Sequence, residues 1–66
     1  MTVIEILAQI KAPHFSAGVV LRDGVVIEAA DIIKYMRRWP RARVRDYCAQ
    51  KGWTISIVSE STIALG

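Results

Sequence analysis

Five basic side chains, Lys34, Arg37, Arg38, Arg41 and Arg45, recur at intervals dominated by three and four residues. On a continuous helix that spacing stacks them within roughly 100° of arc, a positive ridge along one face. Guanidinium forks match the oxygens of phosphate groups, and Tyr35, Trp39 and Trp53 lie close enough in sequence to stack on bases or sugars. The chemistry implied is neutralisation of a polyanion. The plainer alternative is a solvated helix face with no ligand.

The ridge belongs to a wider charge segregation. From Lys34 to Lys51 there are seven Lys or Arg residues against one acid, Asp46. The remainder sets Lys11 and Arg22 against Glu5, Asp23, Glu28, Asp31 and Glu60, so a net charge of +3 conceals a strongly basic segment in an acidic frame. Such asymmetry points to an anionic partner.

Other reactive side chains are sparse. His14 is the only histidine and follows Pro13 in an expected turn, with no Cys, Asp or Glu at ligand spacing. Cys48 is the only cysteine, which excludes an internal disulfide and suggests a buried, inert thiol on the apolar side of a helix. Neither a glycine-rich phosphate loop, a serine elbow nor a paired metal-ligand motif is present. An enzyme is not expected, and neither is a metal or any other cofactor.

The elements that position these residues follow from periodicity. Thr2 to Ala12 alternates Ile4, Ile6, Ala8 and Ile10 with Glu5, Leu7, Gln9 and Lys11, the pattern of a half-buried strand ended by Pro13. Phe15 to Leu21 and Val25 to Ala30 flank Arg22-Asp23-Gly24, and Asp-Gly between β-branched runs predicts a hairpin closed by a type I′ turn. Two-residue closure pairs Leu21 with Val26 and Val20 with Ile27. Both faces of that hairpin are then largely apolar, so one is roofed by helices and the other needs a different cover.

Asp31 is placed to cap a helix from Ile32 to Arg38, with Ile32, Tyr35, Met36 and Trp39 at helical spacing. Pro40 suits the first position of a second helix running to Lys51, and Gly52 suits its C-terminal cap. Read as one helix, the apolar arc around Trp39 lies about 120° from that of Val44, Tyr47 and Cys48. A single straight helix cannot bury both, so a break at Pro40 is expected. The pair resembles a helix-turn-helix poorly, because the first helix is short and the hairpin precedes it. Met36, Tyr47 and both tryptophans are expected to pack in the core rather than to stack on a ligand.

Trp53 to Val58 reads as a final strand, and Ser59 to Gly66 as a loose tail or short edge strand. The whole is an α+β domain spanning residues 1–66, ordered β-β-β-α-α-β, its mainly antiparallel sheet covered on one face by two short helices. Strand order is not readable. With 66 residues and 53% hydrophobic content, the core is thin for so apolar a chain, which invites self-association.

Ala12-Pro13-His14-Phe15, Ala17-Gly18-Val19-Val20-Leu21, Asp23-Gly24, Glu28-Ala29-Ala30 and Lys51-Gly52-Trp53 together resemble a group of short phage and prophage proteins. That group shares a PHFxAG hairpin, an Ala-Ala-Pro-Ile helix start and a YCxxKGW helix end. Here Asp31 stands in place of the proline, while Ile32-Ile33 and Tyr47 through Trp53 match. The resemblance spans roughly residues 11–53 and implies a phage-derived accessory protein acting in a bacterial cytoplasm. It brings no catalytic residue.

Three functional readings follow. The leading one is a small module docking through its Arg-rich helical surface on nucleic acid or on an acidic nucleic-acid-handling protein. The second is a protein interaction module, or an inhibitor of a host or defence protein, using the apolar hairpin face as a possible homodimer. The third is attachment to an anionic membrane surface, ranked lower because Trp39 is needed in the core. No apolar run approaches the ~20 residues of a membrane span, and a soluble cytoplasmic protein is expected.

Overall fold

The computed structural model of the chain describes residues 1–64. Four strands, β1 (Thr2–Ala12), β2 (Phe15–Arg22), β3 (Val25–Ala29) and β4 (Thr54–Ala64), form one antiparallel sheet in the order β3-β2-β1-β4. Between β3 and β4 come a 3-10 segment, Asp31–Met36, and helix α1, Arg41–Lys51. This is the α+β class read from the sequence.

Alternation sorts the strands into two faces. Ile6, Ala8 and Ile10 of β1, Ala17, Val19 and Leu21 of β2, and Val26 of β3 turn to one side and are buried. Ile33 and Met36 from the 3-10 segment and Val44 and Cys48 from α1 close over them, completing a single core. Residues of the opposite parity, among them Leu7, 40% exposed, and Gly18, face away from that roof.

The turns follow from local chemistry. Asp23 and Gly24 adopt φ of 52° and 77°, the left-handed pair that a type I′ turn requires. Leu21 pairs with Val26 as the two-residue turn dictates, but Val20 pairs with Glu28 and not with Ile27. A bulge at Ile27 absorbs one residue, which bends β3 where the chain must leave the sheet. Gly52 ends α1 at φ 74°, with the Gly52 N–H on the Ala49 carbonyl at 3.2 Å and the Trp53 N–H on the Cys48 carbonyl at 2.8 Å. These two bonds are a Schellman motif.

Two expectations are corrected. The helix expected over Ile32–Arg38 is a short 3-10 segment broken at Ile33 (φ −126°, ψ 24°), and Asp31 makes no capping hydrogen bond. Adjacent β-branched Ile32 and Ile33 disfavour the helix, and the residue before Pro40 is held extended. The chain instead returns to β3: the Arg38 N–H donates to the Val26 carbonyl at 2.7 Å, and the Val26 N–H to the Trp39 carbonyl at 3.0 Å. Arg38 takes φ 72° to make this return, a costly conformation for a long side chain.

Of the two expectations for the segment after Val58, a loose tail or an edge strand, the edge strand holds. β4 continues past Val58 to Ala64, so Ser59 to Ala64 is edge strand and not loose tail, while residues 65–66 lie outside the described residues. Pairing with β1 carries it, interrupted by a bulge in which Val58 is the extra residue between the Ala8–Ile57 and Leu7–Ser59 pairs.

Candidate nucleic-acid interface

The break at Arg37–Pro40 dissolves the single ridge. Lys34 and Arg37 rim an open depression of about 600 Å³ whose floor includes Leu7, Gly18 and Val20, on the sheet face away from the core. Arg41 and Arg45 border a small depression of about 120 Å³ over Ile6, Ala8, Leu21, Ile55 and Ile57, on the helix side. Arg38 sits in the left-handed turn between these groups. Of the five side chains expected on one face, Lys34 and Arg37 therefore lie toward one side of the sheet and Arg41 and Arg45 toward the other, because the chain leaves helical geometry from Arg37 to Pro40.

What the fold does bring together is an aromatic chain. Phe15 meets Trp53 at 5.0 Å between ring centroids, Trp53 meets Tyr47 at 5.6 Å, Tyr47 meets Trp39 at 5.4 Å, and Tyr35 lies 5.8 Å from both Trp39 and Tyr47. His14 extends the series at 5.3 Å from Phe15. All these contacts are edge-on, the geometry favoured by the ring quadrupoles. Trp39, Tyr47, Trp53 and Phe15 pack against the core while remaining half-buried, and Tyr35 is 47% exposed. The tryptophans do serve the core, as expected, but with part of each left at the surface.

Two cations complete this stripe. The Arg43 guanidinium lies 4.2 Å from the Trp39 ring centroid, and the Lys51 ammonium 5.7 Å from that of Tyr47. Arg43 was absent from the expected ridge, yet the signal was in the sequence. Trp39, Arg43, Tyr47 and Lys51 recur every four residues, which aligns the last three along one flank of α1. Arg41 and Arg45 occupy the other flank, across the buried Val44 and Cys48.

The electrostatics are those of an unneutralised surface. All seven Lys and Arg residues from 34 to 51 are exposed. The one ion pair among the described residues is elsewhere, between Arg22 and Glu5, cross-strand partners 2.9 Å apart. The first turn of α1 holds Arg41 and Arg43 and no acid, so two cations stand where the helix dipole is already positive.

Tyr35 donates a hydrogen bond to the Tyr47 hydroxyl at 3.2 Å. Burial of its phenol, then this bond and the proximity of Tyr47, push its pKa up to about 12. Burial likewise pushes the Cys48 thiol up, in keeping with an unreactive core position. Among the described residues no three His, Cys, Asp or Glu side chains converge as metal ligands, and no helix is long and apolar enough to cross a membrane. Comparison with protein-family models, with curated proteins and with solved structures finds no match to this chain.

Proposed function

We propose that this chain binds single-stranded nucleic acid along the stripe formed by Tyr35, Trp39, Arg43, Tyr47, Lys51 and Trp53. Lys34, Arg37, Arg38, Arg41 and Arg45 take phosphates on either side. As the resemblance to small phage proteins implies, it acts as a phage accessory protein in a bacterial cytoplasm.

One observation carries the reading: seven exposed cations lie within eighteen residues, without an ion-pair partner among the described residues, and two of them oppose the dipole of α1. Each such placement costs a few tenths of a kcal/mol or more in the free protein. A bound polyanion reverses that cost, because phosphates near a helix N-terminus are stabilised by the same field.

The aromatic stripe favours single strands over duplex. Bases stack on aromatic faces and on guanidinium planes when they are not already paired in a helix. Arg43, its guanidinium 4.2 Å from the Trp39 ring centroid, is one such group. The neighbouring Tyr35 ring, 47% exposed, is another.

Fluorescence anisotropy with labelled single- and double-stranded DNA and RNA, across a salt series, tests this. The expected result is preference for single strands and steep salt dependence. Replacing Arg37, Arg41 and Arg45 by Ala lowers the logarithmic salt slope by about 2, at about 0.7 per lost phosphate contact. Arg43→Ala weakens binding about tenfold or more through lost stacking. Absence of binding at low salt refutes the reading. Capture by an acidic protein instead, with no affinity for oligonucleotides, transfers the same cations to a protein target.

A further inference from the structure

The two edges of the sheet are treated differently. The outer edge of β3 is closed by the chain itself: Val26 exchanges hydrogen bonds with Arg38 and Trp39, Val25 bridges Pro40, and the Arg41 N–H donates to the Gly24 carbonyl at 2.7 Å. The edge of β4 is open. Its eleven residues pair with β1 on one side and with no described strand on the other. That is about 36 Å of unpaired backbone donors and acceptors.

β4 is also exposed on its faces. Not one of its residues is buried, and Ile57 and Val58 are 52% and 59% exposed. By contrast β1, of equal length, buries Val3, Ile6, Ala8 and Ile10. Ordering each residue of a strand costs about 1–2 kcal/mol in backbone entropy, which a single row of hydrogen bonds with little side-chain burial offsets poorly. Of the devices that keep free edges solitary, β4 carries one, the bulge at Val58. The strand has no proline and no lysine, and Glu60 is its one charge.

We infer that β4 pairs antiparallel with β4 of a second copy of this chain, joining two sheets into one of eight strands. The occupant is specified by charge. Glu60 pairs with Ile6, a core-face residue, so it lies on the helix side of the sheet. Arg41 and Arg45 border Ile55 and Ile57 on that same side, at the other half of the strand. A two-fold axis near Val58 sets Glu60 of each copy beside Arg41 and Arg45 of the other, satisfying both ends at once. A perpendicular two-fold also leaves both α1 helices on one face. The exposed Ile57 and Val58 of the two copies meet at the centre, flanked by Ser and Thr residues suited to cross-strand pairing.

This inference shares Arg41 and Arg45 with the nucleic-acid reading but not the aromatic stripe, so association measured without nucleic acid, and stripe variants such as Arg43→Ala, tell the failure of one from the failure of the other. Sedimentation velocity over micromolar to millimolar protein is the test, with circular dichroism reporting the fold of each variant. The wild type is expected to reach twice its 7.4 kDa mass. Val58→Lys is expected to abolish the dimer, and Glu60→Arg to weaken it about tenfold, with affinity regained when Arg45→Glu is added. If the lysine variant does not fold, amide hydrogen exchange of the wild type decides. Protection of outward β4 amides must rise with protein concentration. A wild type monomeric at millimolar concentration overturns the inference, as does a dimer untouched by these substitutions or β4 exchange that is independent of concentration.

Discussion

Arg41→Glu is expected to stabilise the protein while weakening its hold on nucleic acid. Arg41 is exposed in the first turn of α1, where no acid is present. The substitution removes an unfavourable charge from the positive end of the helix and adds a favourable one, each worth about 0.3–1 kcal/mol at low salt. It also converts the Arg41/Arg45 repulsion at i, i+4 into an attraction with the acid on the N-terminal side, adding about 0.2–0.5 kcal/mol each way. The backbone bond from residue 41 to the Gly24 carbonyl is untouched. A net gain of about 1–3 kcal/mol raises Tm by at least about 4 °C in a domain this small, at about 4–8 °C per kcal/mol.

Thermal unfolding followed by far-UV circular dichroism measures that gain. Comparing about 10 mM with about 1 M salt shortens the screening length from about 30 Å to about 3 Å, so the gain must nearly vanish at high salt. A protein concentration series separates any contribution from association. Anisotropy with a labelled single strand should show weaker binding by the same variant. An unchanged or lowered Tm at low salt refutes the argument, because the cations of α1 then cost the free protein nothing and give no reason to look for a polyanion.

Tyr35, with its pKa raised to about 12, contributes stability that is intact below pH 10 and lost as the pH rises from about 10 through about 12. Urea midpoints across that window should fall in the wild type and fall less in Tyr35→Phe. Gly52→Ala forces a Cβ into φ 74°, where nothing lies within 4 Å of it, so the cost is conformational alone, about 1 kcal/mol by denaturant unfolding. Met36→Ala empties a fully buried site at the core centre and should cost about 2–5 kcal/mol, enough to leave much of so small a domain unfolded at 37 °C.

Much of the fold was legible because single residues dictate single geometries. Asp23-Gly24 specifies its turn, Gly52 its left-handed cap, and Pro13 and Pro40 their boundaries. The alternation of Ile6, Ala8 and Ile10 identifies the buried face of β1. What escaped was what depends on partners distant in sequence. Nothing local announces that Arg38 and Trp39 return to bond Val26, and that return turns an expected helix into a 3-10 segment. The polar run Ser59 to Thr62 leaves loose tail and edge strand both open, and pairing with β1 decides for the strand.

The candidate site was half legible for the same reason. Charge segregation located the basic segment, but a shared arc for its side chains requires a continuous helix axis, which Pro40 and the non-helical residues before it interrupt. The four-residue recurrence of Trp39, Arg43, Tyr47 and Lys51 was readable and was masked by the denser arginine spacing around it. Arg43 takes its place in the stripe through contact with Trp39, a residue preceding its own helix.

The most direct measurement is a titration of the isotopically labelled protein with a short oligothymidylate, followed by NMR of backbone amides and indole N–H groups. Shifts are expected to concentrate at Tyr35, Trp39, Arg43, Tyr47, Lys51 and Trp53, both indoles included, and to diminish as salt is raised. Absence of shifts at low salt, or shifts confined to Leu7, Gly18 and Val20 on the open sheet face, would contradict binding along the stripe.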